Sequence, residues 1–215
     1  CYAEYVVANP EHIWFKPKTF SMFEAAATPL ATLTAWQCLF DIAGLKAHES
    51  ALIHAGAGGV GHLAIQLAKD KEAKIYTTCS KANEGFVKEL GAEVVIDYHQ
   101  TRFEDVAKDM DVVFDAVGGE TFTRSIACLK SGGRLVTIAA QVTPEAEAFA
   151  NERNVKVQRH LVHPSSTQLK AITHFADEGL FKVFVSDILP FTQVKEAHQK
   201  IEARHTKGKM VLTFI

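Results

Sequence analysis

The residues with the clearest chemical purpose lie between positions 51 and 61, where Ala51-Leu52-Ile53-His54-Ala55 leads into Gly56-Ala57-Gly58-Gly59-Val60-Gly61. An apolar strand, the spacing GxGxxG and a following helix together make a cradle for a diphosphate. Gly56 permits a tight turn, Gly58 lets the backbone approach the anion, and Gly61 lets the helix pack close to the strand. The unpaired N–H groups of the helix start then face the negative charge, with the helix dipole in support. A plain strand-to-helix turn accounts poorly for four glycines in six residues, because each costs about 0.5–1 kcal/mol relative to alanine in an ordered element.

The second group of interest lies about twenty residues further on. An NAD-binding domain places an Asp or Glu there for the ribose 2′-hydroxyl, yet this strand ends Thr77-Thr78-Cys79-Ser80-Lys81 without an acid. Ser80 and Lys81 suit a 2′-phosphate instead, which predicts NADP(H). One charged hydrogen bond of about 1.5–3 kcal/mol corresponds to a preference of about ten- to a hundredfold. The plain reading of Lys81 is a solvated lysine at a helix start. Cys1, Cys38, Cys79 and Cys128 form no CxxC pair, so neither a zinc knuckle nor a disulfide framework is expected, and a reducing cytoplasm fits. His160 and His163 lie close together without a Cys or Glu in register. They read as surface or loop histidines, and no metal site is expected.

These residues need a scaffold. From Ser50 onward, short apolar runs alternate with helical segments, the pattern of βαβ units around a parallel sheet. Six strands are expected at 51–55, 74–78, 94–97, 112–116, 134–139 and 155–160, with helices at 60–69, 83–90, 103–108 and 121–129. That spacing suits a doubly wound six-stranded sheet. Upstream, 3–7 reads as a strand, Ser21-Met22-Phe23-Glu24 as a capping box, Pro29 as a helix end or kink, and 33–43 as a helix stopped at Gly44. Downstream come helices near 168–178 and 194–203, a short strand after 184 and a closing strand at 209–214. The chain opens on Cys1 inside an apparent strand, as the interior of a longer protein would.

Composition narrows the function classes. With 47% hydrophobic and 22% charged residues the chain is an ordinary globular protein. A net charge of −2 without a basic cluster argues against nucleic acid. The uncharged stretch 25–40 is too short and too polar to span a membrane, and the start lacks the pattern of a signal peptide.

The chain resembles the medium-chain dehydrogenase/reductase superfamily, and within it the zinc-free quinone oxidoreductase-like enzymes. The carriers are Glu24-Ala25-Ala26-Ala27-Thr28-Pro29-Leu30 with Leu33-Thr34-Ala35-Trp36, the 56–61 loop, Leu90-Gly91-Ala92 with Ile96-Asp97-Tyr98, residues 111–119 and 129–138, and Gly208-Lys209-Met210-Val211-Leu212. The resemblance implies a Rossmann α/β domain over 25–180, flanked at 1–24 and 181–215 by remnants of a GroES-like β-barrel substrate domain. It implies that Thr34 lies near the cofactor, that Ala57, Gly58, Gly59 and Val60 wrap the diphosphate, and that Ser80 and Lys81 meet the 2′-phosphate. Tyr98 would sit by the adenosine. Val117 and Gly118, with Ile138, Ala139, Ala140 and Gln141, would flank the nicotinamide.

By the same resemblance a zinc ligand position falls near Ala31, which cannot bind metal, while Cys38 reads as a buried small hydrophobe. The implied activity is hydride transfer from NADPH to a quinone, enone or related carbonyl acceptor, without zinc and with no general acid assigned. The implied partners are a small-molecule substrate and a second copy or a tetramer, joined at the sheet edge near 155–160. Three other readings stand beside it. One is a zinc-dependent alcohol dehydrogenase, one a non-catalytic NADPH-binding module, and one a methyltransferase, which usually carries an acid where Thr78–Lys81 has none.

Overall fold

The computed structural model describes residues 2–203 and 206–214. Ser21 opens helix α1 (Met22–Ala27) with the expected capping box: its hydroxyl accepts from Glu24 N at 3.2 Å while the Glu24 carboxylate accepts from Ser21 N at 2.8 Å. Helix α1 ends just before Pro29, as expected, and Pro29 also starts the next helix. It occupies the first position of α2 (Pro29–Trp36), where its missing N–H costs nothing. The expected helix over 33–43 therefore begins four residues early, passes into a π-helical turn at Gln37–Ile42, and stops at Gly44 with φ +58°.

The sheet is six-stranded, parallel and ordered β3-β2-β1-β4-β5-β6, from β1 (Ser50–Ile53), β2 (Lys74–Cys79), β3 (Val94–Asp97), β4 (Met110–Asp115), β5 (Leu129–Thr137) and β6 (Lys156–Arg159). Helices α3 (Gly61–Asp70), α4 (Glu84–Leu90), α5 (Phe103–Val106), α6 (Glu120–Ile126) and α7 (Pro144–Glu152) connect them. Central strands buried on both faces read as continuous apolar runs. On β1, Ala51 and Ile53 join the core that holds Ile65, Leu67 and Phe114, whereas Leu52 between them faces Phe103, Ile126 and Leu135. The strand order reverses between β1 and β4, so a ligand crevice is expected at the carboxyl ends of those two strands.

Beyond the sheet come α8 (Ser166–Asp177), β7 (Val185–Pro190), α9 (Val194–Glu202) and β8 (Lys209–Thr213). β7 and β8 pair in parallel with each other. A third apolar cluster joins Phe20, Ala31 and Leu33 to Leu63 of α3 and to Phe181, Val183 and Val211.

Three local expectations need correction. Residues 3–7 form no strand: Tyr5 and Val7 are 91% and 100% exposed, and no neighbouring strand among the described residues takes up their backbone groups. The helix expected over 121–129 ends at Ile126, because Leu129 already pairs with Met110 in the sheet. Helix α7 was not foreseen, although Thr143 caps it and Pro144 fills its first turn.

Candidate cofactor site

The glycine loop turns directly off β1. None of its four glycines has a positive φ; the left-handed residue is Ala55, at φ +53°. Gly56 therefore serves close packing and not the turn, since a methyl group on it would lie 2.0 Å from Thr77 Oγ1. Gly61 has the role the sequence suggests, because a methyl there would lie 2.1 Å from the Ala55 carbonyl oxygen. The loop is held by Gly56 N donating to Thr78 O (3.0 Å) and Gly58 N donating to Ala55 O (2.8 Å). The N–H groups of Gly59, Val60 and Gly61 find no acceptor among the described residues. Three donors at the start of a ten-residue helix suit a diphosphate in number and polarity.

His62 and Gln66, four residues apart on α3, fasten the loop to the C-terminal segment. Phe184 N donates to His62 Nε2 (3.3 Å), which puts the ring proton on Nδ1, and that proton is donated to Gly58 O (2.8 Å). Gln66 donates to Lys182 O (2.9 Å) and accepts from Lys182 N (2.8 Å). The sequence offered a signal for both, as polar positions on an otherwise apolar helix face.

A second network runs under the loop. Ser125 Oγ donates its proton to Thr121 O (2.6 Å), so it accepts from His54 Nε2 (2.9 Å). His54 Nδ1 then accepts from Thr78 Oγ1 (3.1 Å), which itself accepts from Ala55 N (3.1 Å). The strained Ala55 is thus tied to β2 and α6 through one imidazole of defined tautomer.

The loops after β4 and β5 are organised by the buried pair Asp115 and Thr137. Asp115 Oδ1 accepts from Val117 N and Gly118 N, both at 3.0 Å, and Oδ2 accepts from Thr137 Oγ1 at 2.8 Å. Thr137 Oγ1 in turn accepts from Ala139 N (3.2 Å) and Ala140 N (3.0 Å), and Ile138 N donates to Asp115 O (3.0 Å). Gly118, at φ +77°, lies so close to Ala139 that a methyl would fall 2.7 Å from its carbonyl oxygen. Sequence reasoning named these loops without the two side chains that shape them.

A cleft of ≈ 950 Å³ opens at the carboxyl ends of the strands, lined by His54, Thr78, Tyr98, Val117, Arg124 and Ala139 among others. Tyr98 is half exposed beside His99, at 4.3 Å between ring centroids. Ser80 directly follows β2 and accepts from Asn83 Nδ2 at 3.2 Å; Lys81 comes next, exposed and paired with Glu84. Gln141 is exposed past Ala140. Thr34 stands apart from the cleft lining: it is buried in α2 and donates to Leu30 O at 2.7 Å.

The residues that the sequence weighed for zinc do not come together among the described residues. Ala31 carries no donor and is buried in the third cluster. Cys38 is fully buried, and burial, reinforced by Asp41, pushes its thiol up to about 12. His160 is bound to the Gln37 amide oxygen at 2.8 Å. No group of three His, Cys, Asp or Glu residues suited to a metal occurs among the described residues.

The two buried histidines make stability depend on pH. Burial holds His54 and His62 at about 4 instead of 6.5. The unfolded chain therefore takes up protons between pH 6.5 and 4 that the folded chain refuses, so stability is complete above 6.5 and declines as pH falls to about 4. At 1.36 kcal/mol per unit, each contributes roughly 3 kcal/mol. Urea unfolding at pH 7.5, 5.5 and 4.5 should show this decline, and a flat profile would contradict the assignment of both rings as neutral.

Comparison with known proteins gives a consistent set of relatives. The family described as zinc-binding dehydrogenase matches residues 90–212. A mitochondrial NAD(P)H oxidoreductase of Danio rerio is 33% identical over 99% of the chain and 62% of its own length. A chloroplastic NADPH-dependent alkenal/one oxidoreductase of Arabidopsis thaliana is 34% identical over 98% of the chain and 52% of its own. The quinone oxidoreductase structure from Coxiella burnetii superposes with a TM-score of 0.94 at 38% identity, covering all of this chain and 68% of that one. The chain thus spans between half and two thirds of the curated relatives just described.

Proposed function

The chain belongs to the zinc-binding dehydrogenase family of the medium-chain dehydrogenase/reductase superfamily, and from that membership we propose that it is the cofactor-binding portion of an NADPH-dependent quinone or enone reductase. The observation that carries this reading is the open set of N–H donors on Gly59, Val60 and Gly61, at the crevice where the strand order reverses. Relatives named as NAD(P)H, alkenal/one and quinone oxidoreductases support the reaction class. The division at residues 24 and 180 into a sheet domain and two flanking pieces belongs to the same proposal.

A bound reduced nicotinamide supplies the hydride. The chain's own task is to bind, orient and exclude water. Ala57, Gly58, Gly59 and Val60 wrap the diphosphate, and Thr34 lies near the cofactor. Ser80 and Lys81 take the 2′-phosphate, with Tyr98 against the adenosine. The loops of Val117 and Gly118 and of Ile138, Ala139, Ala140 and Gln141, fixed by Asp115 and Thr137, set the angle of the nicotinamide. Zinc has no part in this reading, because by the family resemblance a ligand position falls near Ala31, which carries no donor; metal analysis of the full-length protein tests that.

Lys81→Ala tests the cofactor choice. The Lys81–Glu84 pair is exposed and easily exchanged for a phosphate contact. The variant is expected to lose about ten- to a hundredfold in NADPH affinity and to leave NADH affinity unchanged, as read by nicotinamide fluorescence. Equal losses for both cofactors would move Lys81 out of the 2′-phosphate site.

The edge strand β6 has a side unpaired among the described residues and is the surface we propose for a homodimer or homotetramer. Cys38, Cys79 and Cys128 are buried free thiols, which supports a reducing compartment such as the cytoplasm. No helix among the described residues is long and apolar enough to cross a membrane.

A further inference from the structure

Strands β1, β4, β5 and β6 run parallel, so the loop after β6 opens at the same end of the sheet as the glycine loop. A single side chain, Gln37, grips it there. Gln37 is fully buried where α2 passes into the π-helical turn, one helical turn beyond Thr34. Its Nε2 donates to His163 O and to Gln168 Oε1, both at 2.8 Å. Its Oε1 accepts from His163 N at 3.1 Å and from His160 Nε2 at 2.8 Å.

These bonds fill every hydrogen-bonding position of the amide. Because His163 presents a carbonyl to one side and an N–H to the other, the amide has one orientation, and His160 carries its proton on Nε2. Gln168 is held in turn by Asp41, whose Oδ2 accepts from Gln168 Nε2 at 2.6 Å. Asp41 belongs to the same π-helical turn as Gln37, a form of helix frequent at functional sites. On the sheet side, His160 N donates to Thr137 O at 2.9 Å. Thr137 is the residue whose hydroxyl accepts from Ala139 N and Ala140 N.

One buried amide therefore joins three segments, namely α2 with Thr34, the loop after β5 and the loop after β6. Core packing alone does not call for it: Ala35, Cys38 and Leu39 beside it are buried and apolar, and an apolar side chain fills such a position without four bonds to satisfy. A fully satisfied polar network instead fixes one arrangement of the segments it joins. None of the four bonds reaches the glycine loop, Ser80 or Lys81.

We propose that Gln37 is a positioning residue for hydride transfer: its amide locks the loops after β5 and β6 to α2 and so sets the angle of the nicotinamide, while the phosphate-binding end of the site stays independent of it. This rests on the NADPH reading for the identity of the ligand.

The test compares the parent chain with Gln37→Met, whose side chain has similar length and no amide. Adenosine 2′,5′-bisphosphate, which carries the 2′-phosphate but no nicotinamide, should bind both with affinities within about twofold. The nicotinamide emission of bound NADPH should differ between the two, shifted toward that of free NADPH in Gln37→Met. In the full-length enzyme kcat should fall about tenfold or more, while KM for NADPH changes by less than about threefold. If Gln37→Met fails to fold, His160→Phe, at the half-buried end of the network, takes its place and should move emission and kcat in the same direction.

Parent-like emission and kcat in a folded Gln37→Met, or in the His160→Phe that replaces it, overturn the role of Gln37 and leave the NADPH reading intact. An equal loss of affinity for NADPH and the bisphosphate, together with a lower Tm, does the same, because an amide that serves only the fold would weaken the whole site. If the folded parent binds neither ligand, the NADPH reading itself falls, and the role of Gln37 falls with it.

Discussion

Gly61→Ala is expected to remove NADPH binding almost entirely and to lower stability. The added methyl would lie 2.1 Å from the Ala55 carbonyl oxygen and 2.8 Å from its carbon, and both are backbone atoms that no rotamer change can move. Ala55 is already in the left-handed region and is pinned through Thr78 Oγ1, so α3 must shift outward. Overpacking of this kind costs about 1–3 kcal/mol. The same shift misaims the N–H groups of Gly59, Val60 and Gly61. Losing two charge-assisted bonds of about 1.5–3 kcal/mol each reduces affinity by at least about a hundredfold. Gly85→Ala in α4 is the control, because nothing lies within 4 Å of its added methyl and alanine favours a helix. Urea unfolding and cofactor titration on both variants read the contrast. Parent-like binding by Gly61→Ala would show that the helix start does not hold the diphosphate.

Asp115→Asn is expected to have the next largest effect, and the reason is a count of protons. Thr137 Oγ1 already accepts from Ala139 N and Ala140 N, so its own proton goes to Asp115 Oδ2. Asp115 Oδ1 accepts two further N–H groups. An asparagine oxygen can serve only one side of this arrangement, and its NH2 then faces either the Thr137 hydroxyl proton or the two N–H groups. A buried donor left without an acceptor costs about 1–3 kcal/mol, and both loops flanking the proposed nicotinamide position lose their brace. In the full-length enzyme, hydride transfer should fall at least about tenfold, with a smaller change in NADPH affinity. Thr137→Ser keeps the hydroxyl and should remain close to the parent. Loss of affinity without loss of rate would place these loops elsewhere than at the reacting ring.

The contrast between these two sites shows what the sequence made legible. Gly61 stands out because only glycine spacing after an apolar strand satisfies close packing at a helix start, and the six strands stand out because parallel strands buried on both faces are uninterrupted apolar runs. Asp115 and Thr137 lie 22 positions apart and acquire meaning only when β4 and β5 pair. The same holds for His54 and Ser125. His62 and Gln66 were half visible, as polar residues four apart on the apolar α3, but their partners at 182–184 come from the far end of the chain. Residues 3–7 misled because alternation describes a strand's faces and says nothing of a neighbour to pair with. Gly56 misled because packing against Thr77, and not a turn, excludes a side chain there.

The central claim is that this chain binds a dinucleotide phosphate through the loop at 56–61. Titration with NADPH and with NADH, following nicotinamide fluorescence at fixed salt, tests it most directly. Saturable binding of both is expected, tighter for NADPH by about ten- to a hundredfold. A folded chain that binds neither would contradict it.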